Sequence, residues 1–180
     1  MPSKRPRITA FGASRSDPAS PIFQDVFHLA KAMAQAGWDG QMGGHQGMMA
    51  AFSEGISAGG GHTRGVTLAC FPTPPNNTLA EEVRTHDFFT RMQHLIEDCD
   101  AWIVLPGGLG TLAEFAMTWD LLAIRMLQER PLILFGEMWE PIVETLTSQL
   151  MMSVQDGMQR IQICRTHAEV LQALERARHV

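Results

Sequence analysis

Apolar residues in this chain fall into short continuous runs, separated by longer stretches in which they recur at helical spacing. The first run, Ile8-Thr9-Ala10-Phe11-Gly12, predicts a strand buried on both faces. Over residues 21–36, Phe23, Val26, Phe27, Ala30 and Met33 share one helical face, and Gly37 ends the pattern. A short strand over residues 38–42 follows, then a glycine loop at 43–47 and a helix reaching residue 58, stopped by Gly59-Gly60-Gly61. Residues 65–71 predict a third strand, and the Pro- and Asn-rich stretch 72–78 a loop. Residues 81–98 read as one long helix, 101–105 as the fourth strand and 112–128 as another helix. The rest alternates as strand (131–135), helix (138–152), short strand (160–164) and helix (167–178).

Strands alternating with helices, the strands nearly continuous in apolar character, predict an α/β fold. Its expected form is a Rossmann-like doubly wound parallel sheet with helices on both faces. With no internal repeat and no linker, 180 residues are expected to form a single domain, residues 1–7 being a flexible tail. Ligands of such sheets bind at the carboxyl ends of the strands. Three glycine-bearing turns are expected there: Gly12 to Ser16, Gly43 to Gly47, and Gly107 to Thr111.

The last of these carries the most chemistry. A predicted strand runs into Pro106-Gly107-Gly108-Leu109-Gly110-Thr111, and a helix-like segment follows. Free backbone N–H groups and the helix dipole converge on an anion in that arrangement, and glycines let it approach closely. Thr111 is placed to cap the helix, and Glu114 to hold a carboxylate on the first turn beside the bound group. A phosphate cradle with an acid three residues beyond it points to chemistry on a phosphorylated ligand.

Composition narrows the surroundings. A net charge of -5 argues against nucleic acid as the main partner, and Lys4, Arg5 and Arg7 read as a solubilising tail. Cys70, Cys99 and Cys164 are odd in number and widely spaced, which fits a reducing, cytoplasmic setting better than a disulfide framework or zinc site. No apolar run approaches the roughly 20 residues that span a bilayer, and no secretory leader is evident. The histidines show no metal-ligand spacing, so no metal is expected, nor any organic cofactor.

The pattern Pro-Gly-Gly-x-Gly-Thr-x-x-Glu resembles the signature of the LOG (LONELY GUY) family, long labelled lysine decarboxylases. Arg91 stands fifteen residues before Pro106, where that family carries an arginine on the preceding helix. Gly43-Gly44-His45-Gln46-Gly47-Met48-Met49 is similar to the family's second loop, and Phe11-Gly12-Ala13-Ser14-Arg15 to its first-strand turn. The resemblance runs from about Ile8 to the C-terminus. It implies a phosphoribohydrolase that cleaves the N-glycosidic bond of a nucleoside 5′-monophosphate, AMP or an N6-modified AMP of the cytokinin type. The products would be free base and ribose 5-phosphate. Arg91 and Glu114 would be the catalytic pair, with Arg91 gripping the sugar-phosphate. Gly107, Gly108, Leu109, Gly110 and Thr111 would hold the phosphate, while Gly12, Ser14, Gly43, Gly44 and His45 would border the nucleotide. Such enzymes are typically homodimers with the site near the subunit interface.

The chemistry is consistent with that reading. Breaking the C1′–N bond develops positive charge on the ribose, which a nearby carboxylate stabilises while orienting or deprotonating water. A pyridoxal decarboxylase would need a Schiff-base lysine in its site. The only lysines, Lys4 in the tail and Lys31 on the predicted exposed side of the first helix, sit on no glycine loop. The chain departs from the family pattern at Met92, where lysine is usual and a site cation is lost, and at His45, Gln46, Ala50 and Asp120. Those departures keep open a carrier of a mononucleotide or a pterin phosphate such as the molybdenum cofactor, and a structural oligomer with a vestigial site. Ser14 and Arg15 are read equally as ligand contacts or a surface turn, and Asn76 and Asn77 as a closing loop or ordinary turn chemistry. Trp102 and Trp119 are expected in the core.

Overall fold

A computed structural model describes residues 5–73, 76–150 and 157–177. Its strands are β1 (Arg7–Phe11), β2 (Asp39–Met42), β3 (Thr63–Leu68), β4 (Glu81–Thr85), β5 (Ala101–Val104), β6 (Leu132–Phe135) and β7 (Ile161–Cys164). Its helices are α1 (Pro21–Gln35), α2 (Met48–Ala58), α3 (Phe88–Glu97), α4 (Leu109–Ala123), α5 (Trp139–Gln149) and α6 (His167–Ala177). All strand pairs are parallel, in the order β4-β3-β2-β1-β5-β6-β7. This is the doubly wound α/β sheet that the alternation predicts.

Alternate strand residues feed two cores. Ile8, Ala10 and Ile103 face α1, α2 and α6, packing with Val26, Leu29, Phe52 and Leu174. Phe11, Trp102 and Val104 face the other way, onto Leu95 of α3, Phe115 and Trp119 of α4, and Trp139 of α5. The β1–β5 register sets Ala10 beside Ile103 and Phe11 beside Val104, so neighbouring side chains reinforce one face at a time. Trp102 and Trp119 are core residues as expected, with Trp119 stacked on Phe115.

The chain winds outward from β1 to β4, then returns across β1 to begin the other half at β5. The carboxyl ends of β1 and β5 therefore flank the topological switch point, where the two halves of the sheet diverge and leave a crevice. Gly12 follows β1 and Pro106-Gly107-Gly108 follows β5.

Three expectations need correction. The long helix over 81–98 is instead β4, a break, and α3. Glu81-Glu82-Val83-Arg84-Thr85 forms an edge strand whose side chains are mostly exposed, so it has no apolar period to read. Thr67 donates to Glu82, and Arg84 donates to the carbonyls of Ala69 and Phe71, tying the edge to the following loop. Asp87 then starts α3 by accepting from Thr90 N at 2.9 Å. Second, α4 begins at Leu109 rather than 112, so Leu109, Gly110 and Thr111 form its first turn. Third, Arg5 and Arg7 belong to the fold rather than to a flexible tail. Arg5 pairs with Asp39 at 3.1 Å and donates to the carbonyls of Gly60 and Trp38, and Arg7 opens β1. Residues 1–4 and 178, and the end of the predicted helix at 151–152, lie outside the described residues. Among the described residues no helix is long and apolar enough to cross a membrane.

Candidate active site

Arg91, one turn into α3, reaches across the sheet ends to three partners. Its Nε donates to Val66 O at 3.1 Å, and its Nη2 donates to Gly43 O at 2.8 Å. The same Nη2 lies 3.6 Å from Oε1 of Glu114. Two backbone carbonyls thus fix the plane of the guanidinium before any ligand arrives. Gly43 makes this possible: a Cβ there would lie 2.1 Å from Nη2. The second glycine loop is in part a seat for Arg91.

Glu114 comes from the second turn of α4, since the helix starts earlier than expected and has no acid in its first turn. Its side chain is 13% exposed, that of Arg91 12%. Burial pushes the Glu114 carboxyl up to about 7, with Arg91 pulling in the opposite direction. Burial likewise lowers the Arg91 guanidinium, and Glu114 raises it. A guanidinium starts so high that it remains a cation. The pair is therefore a fixed positive charge beside an acid that titrates near neutrality.

The N-terminus of α4 stands open above this pair. Gly108 is its N-cap and supplies no side-chain cap, so the first N–H groups of the helix have no partner within it. Cβ atoms built on Gly108 and Gly110 would meet nothing within 4 Å. Protein packing does not demand glycine at either position; the space they leave is the cleft itself. Gly107 is different, since its Cβ would lie 2.1 Å from Oγ1 of Thr111. Thr111 is buried within the first turn and does not cap the helix as expected.

Two adjoining cavities occupy the crevice. One, of about 440 Å³, is lined by Gly12, Ser14, Arg15, Arg91, residues 108–111 and Glu114, with Met49 and Phe88. The other, of about 320 Å³, is lined by Gly43, Gly44, His45, Gln46, Thr67 and Phe71, among others. Ser14, Met49 and Arg91 belong to both and form the neck between them. The structure thus brings together every expected site residue except Gly107, which supports the turn from beneath. His45 is half-buried, and its Nδ1 is sealed from solvent without a hydrogen-bond partner among the described residues.

Other positions fall outside. Met92 is 2% exposed and packs with Leu95 and Trp102, so the missing lysine takes no cation from this cleft. Asp120 is exposed on α4 and lines neither cavity. Asn77 accepts from Leu79 N at 2.9 Å, which is turn chemistry, and residues 74–75 of the same loop lie outside the described residues. Thr67, Phe71 and Phe88 are lining residues the sequence reading did not single out. The end of β3 carries no glycine to mark it, although its place at a strand's carboxyl end was the available signal. Among the described residues no lysine lines either cavity. No group of three or more His, Cys, Asp or Glu among them could hold a metal ion.

A family model described as "Possible lysine decarboxylase" matches residues 49–174, which is most of the chain. The chain belongs to the LOG family. Among curated LOG relatives, "Probable cytokinin riboside 5'-monophosphate phosphoribohydrolase LOGL3" of Oryza sativa subsp. japonica is 36% identical over 101 residues. That match covers 53% of this chain and 48% of the rice protein. The "Cytokinin riboside 5'-monophosphate phosphoribohydrolase" of Mycobacterium tuberculosis is 34% identical over 108 residues, 56% of this chain and 58% of that one. The matched segment thus spans about half the length of these LOG relatives. Among solved structures, the molybdenum cofactor carrier protein from Chlamydomonas reinhardtii superposes with a TM-score of 0.75. It is 19% identical, with 98% of this chain and 100% of that chain covered, a likeness that establishes a shared fold.

Proposed function

We propose that this LOG protein hydrolyses the N-glycosidic bond of a nucleoside 5′-monophosphate, releasing free base and ribose 5-phosphate. The observation that carries this reading is the buried Glu114 carboxyl, raised to about 7 and 3.6 Å from a carbonyl-locked Arg91, under an uncapped helix N-terminus. A desolvated acid that titrates near neutrality beside a fixed cation suits the general acid–base work of a hydrolase. The names of the rice and mycobacterial relatives support the same reaction.

The phosphate rests on the N–H groups at the start of α4, with Gly108 and Gly110 leaving it room. That seats the ribose over Glu114 and the base toward the neck lined by Ser14, Met49 and Arg91. As the C1′–N bond breaks, its electron pair leaves with the base and positive charge grows on the ribose. The Glu114 carboxylate stabilises that charge and takes a proton from the water that attacks C1′. The proton passes to the departing nitrogen, so base, sugar phosphate and carboxylate balance. Arg91 keeps the carboxylate oriented and donates from Nη1, which its carbonyl partners leave free.

Incubating the purified protein with AMP, other nucleoside monophosphates and N6-isopentenyl-AMP tests this. Free base is the expected product, and Glu114→Gln is expected to abolish its release. Tight nucleotide binding without base release by the unaltered protein would overturn the hydrolase in favour of the carrier.

A further inference from the structure

A 5′-phosphate brings roughly −1.5 to −2 charges into the cleft near neutral pH. Arg91 is poorly placed to balance them. Glu114 lies 3.6 Å away and offsets its charge, and two of its three nitrogens already donate to Val66 and Gly43. The N-terminus of α4 contributes only about half an elementary charge. Of the residues lining the 440 Å³ cavity, Arg15 is the one other cation. Its side chain is exposed and makes no hydrogen bond or ion pair with the described residues.

The backbone beneath Arg15 is held firmly. Met48 N donates to Ala13 O at 2.8 Å, and Ala13 N donates to Pro106 O at 3.2 Å. Gly47, with φ of +59°, approaches so closely that a Cβ on it would lie 2.3 Å from Ala13 O and 2.7 Å from Arg15 N. Residues 13–15 are thus clamped between the second glycine loop and the residue that begins the Pro-Gly-Gly run. A rigid platform carries an uncommitted guanidinium to the cavity that also contains the open helix start.

We infer that Arg15 positions the 5′-phosphate and makes this site select phosphorylated nucleosides over unphosphorylated ones. The inference rests on the proposed hydrolase reading and names its phosphate ligand. A planar guanidinium matches two phosphate oxygens at once, while the helix N–H groups take the third. Arg91 is left to hold the carboxylate and the neck.

The test compares the unaltered full chain with Arg15→Ala and Arg15→Lys, using AMP and adenosine as substrates and ribose 5-phosphate in calorimetry. Loss of a charge-assisted pair is expected to raise KM for AMP roughly ten- to a hundredfold in Arg15→Ala. Selectivity for AMP over adenosine is expected to fall by the same factor, with the loss carried by KM rather than kcat. Arg15→Lys is expected to recover part of it, having the charge without the fork. Ribose 5-phosphate affinity should weaken in parallel, with a shallower salt dependence. An unchanged KM for AMP, or equal losses on AMP and adenosine, would overturn the inference, as would undiminished ribose 5-phosphate binding by Arg15→Ala. If the unaltered protein releases no base yet Arg15→Ala loses ribose 5-phosphate affinity, the hydrolase reading fails and the role of Arg15 stands.

Discussion

Glu114 shows how far a single residue's chemistry depends on what surrounds it. Its carboxyl sits at about 7 because burial penalises the charged form more than Arg91 rewards it. That shift is also a statement about stability. The folded value lies above the unfolded value of 4.5, so the folded chain binds the proton more tightly. The resulting stabilisation is fully present below pH 4.5 and is lost as pH rises through about 7. Glutamine is nearly isosteric and does not ionise, so the advantage of Glu114→Gln in Tm over the unaltered protein is expected to widen between those pH values. It should then level off, the difference reaching about 3 kcal/mol at most. Thermal melts of both proteins from pH 4 to pH 9 check this, and parallel Tm curves would show that the carboxyl is not shifted. The sequence offered Glu114 and Arg91 as partners by motif alone. It could not reveal that the guanidinium is held by the carbonyls of Val66 and Gly43, since those contacts join residues 25 and 48 positions apart.

Elements set what the glycines are for. Gly43 gives Arg91 its seat, whereas Gly110 lies in the first turn of α4 with open space where its side chain would be. Alanine at 43 must displace the guanidinium, and a misplacement of that size costs about a hundredfold in kcat. Alanine at 110 fits the helix and is expected to stabilise it by up to about 1 kcal/mol. Its methyl group projects into the cleft, so ribose 5-phosphate affinity should fall while Tm rises. Calorimetry and melting curves on Gly43→Ala and Gly110→Ala separate the two roles, and a Gly110→Ala protein with unweakened binding would remove the phosphate from this helix. The helix boundary mattered here. Reading α4 from residue 112 left Leu109, Gly110 and Thr111 in a loop, when they form the turn that presents the N–H groups. Glycines at 107, 108 and 110 depress local helix propensity, and tertiary packing overrides it.

At the scale of the molecule, the switch point between β1 and β5 gathers loops from both halves of the sheet into one crevice. Large apolar side chains flank part of its mouth. Phe89 and Leu109 are 77% and 82% exposed, and Phe88, which lines the cleft, packs edge-on against Phe89. Exposed apolar rims of this kind mark association surfaces. A second copy of the chain is the expected occupant, since the family resemblance implies dimers. Sedimentation is expected to give a dimer for the unaltered protein and a monomer for Phe89→Glu. A monomeric unaltered protein at assay concentrations would contradict this expectation.

The sequence by itself determined the layered α/β architecture and singled out Arg91 and Glu114, which the fold sets 3.6 Å apart. Buried strands and amphipathic helices write their periods locally, and a glycine run between strand and helix has few structural meanings. β4 escaped because an edge strand of Glu81, Glu82 and Arg84 has only one neighbour and buries just Thr85 and part of Val83, too little to leave an apolar trace. Only the tertiary structure decided that Met92 faces the core, that Arg15 lines the cleft with no partner among the described residues, and that Glu114 titrates near neutrality. Each of those depends on which distant groups surround a side chain. Distance and desolvation arise when elements pack, and no local pattern encodes them.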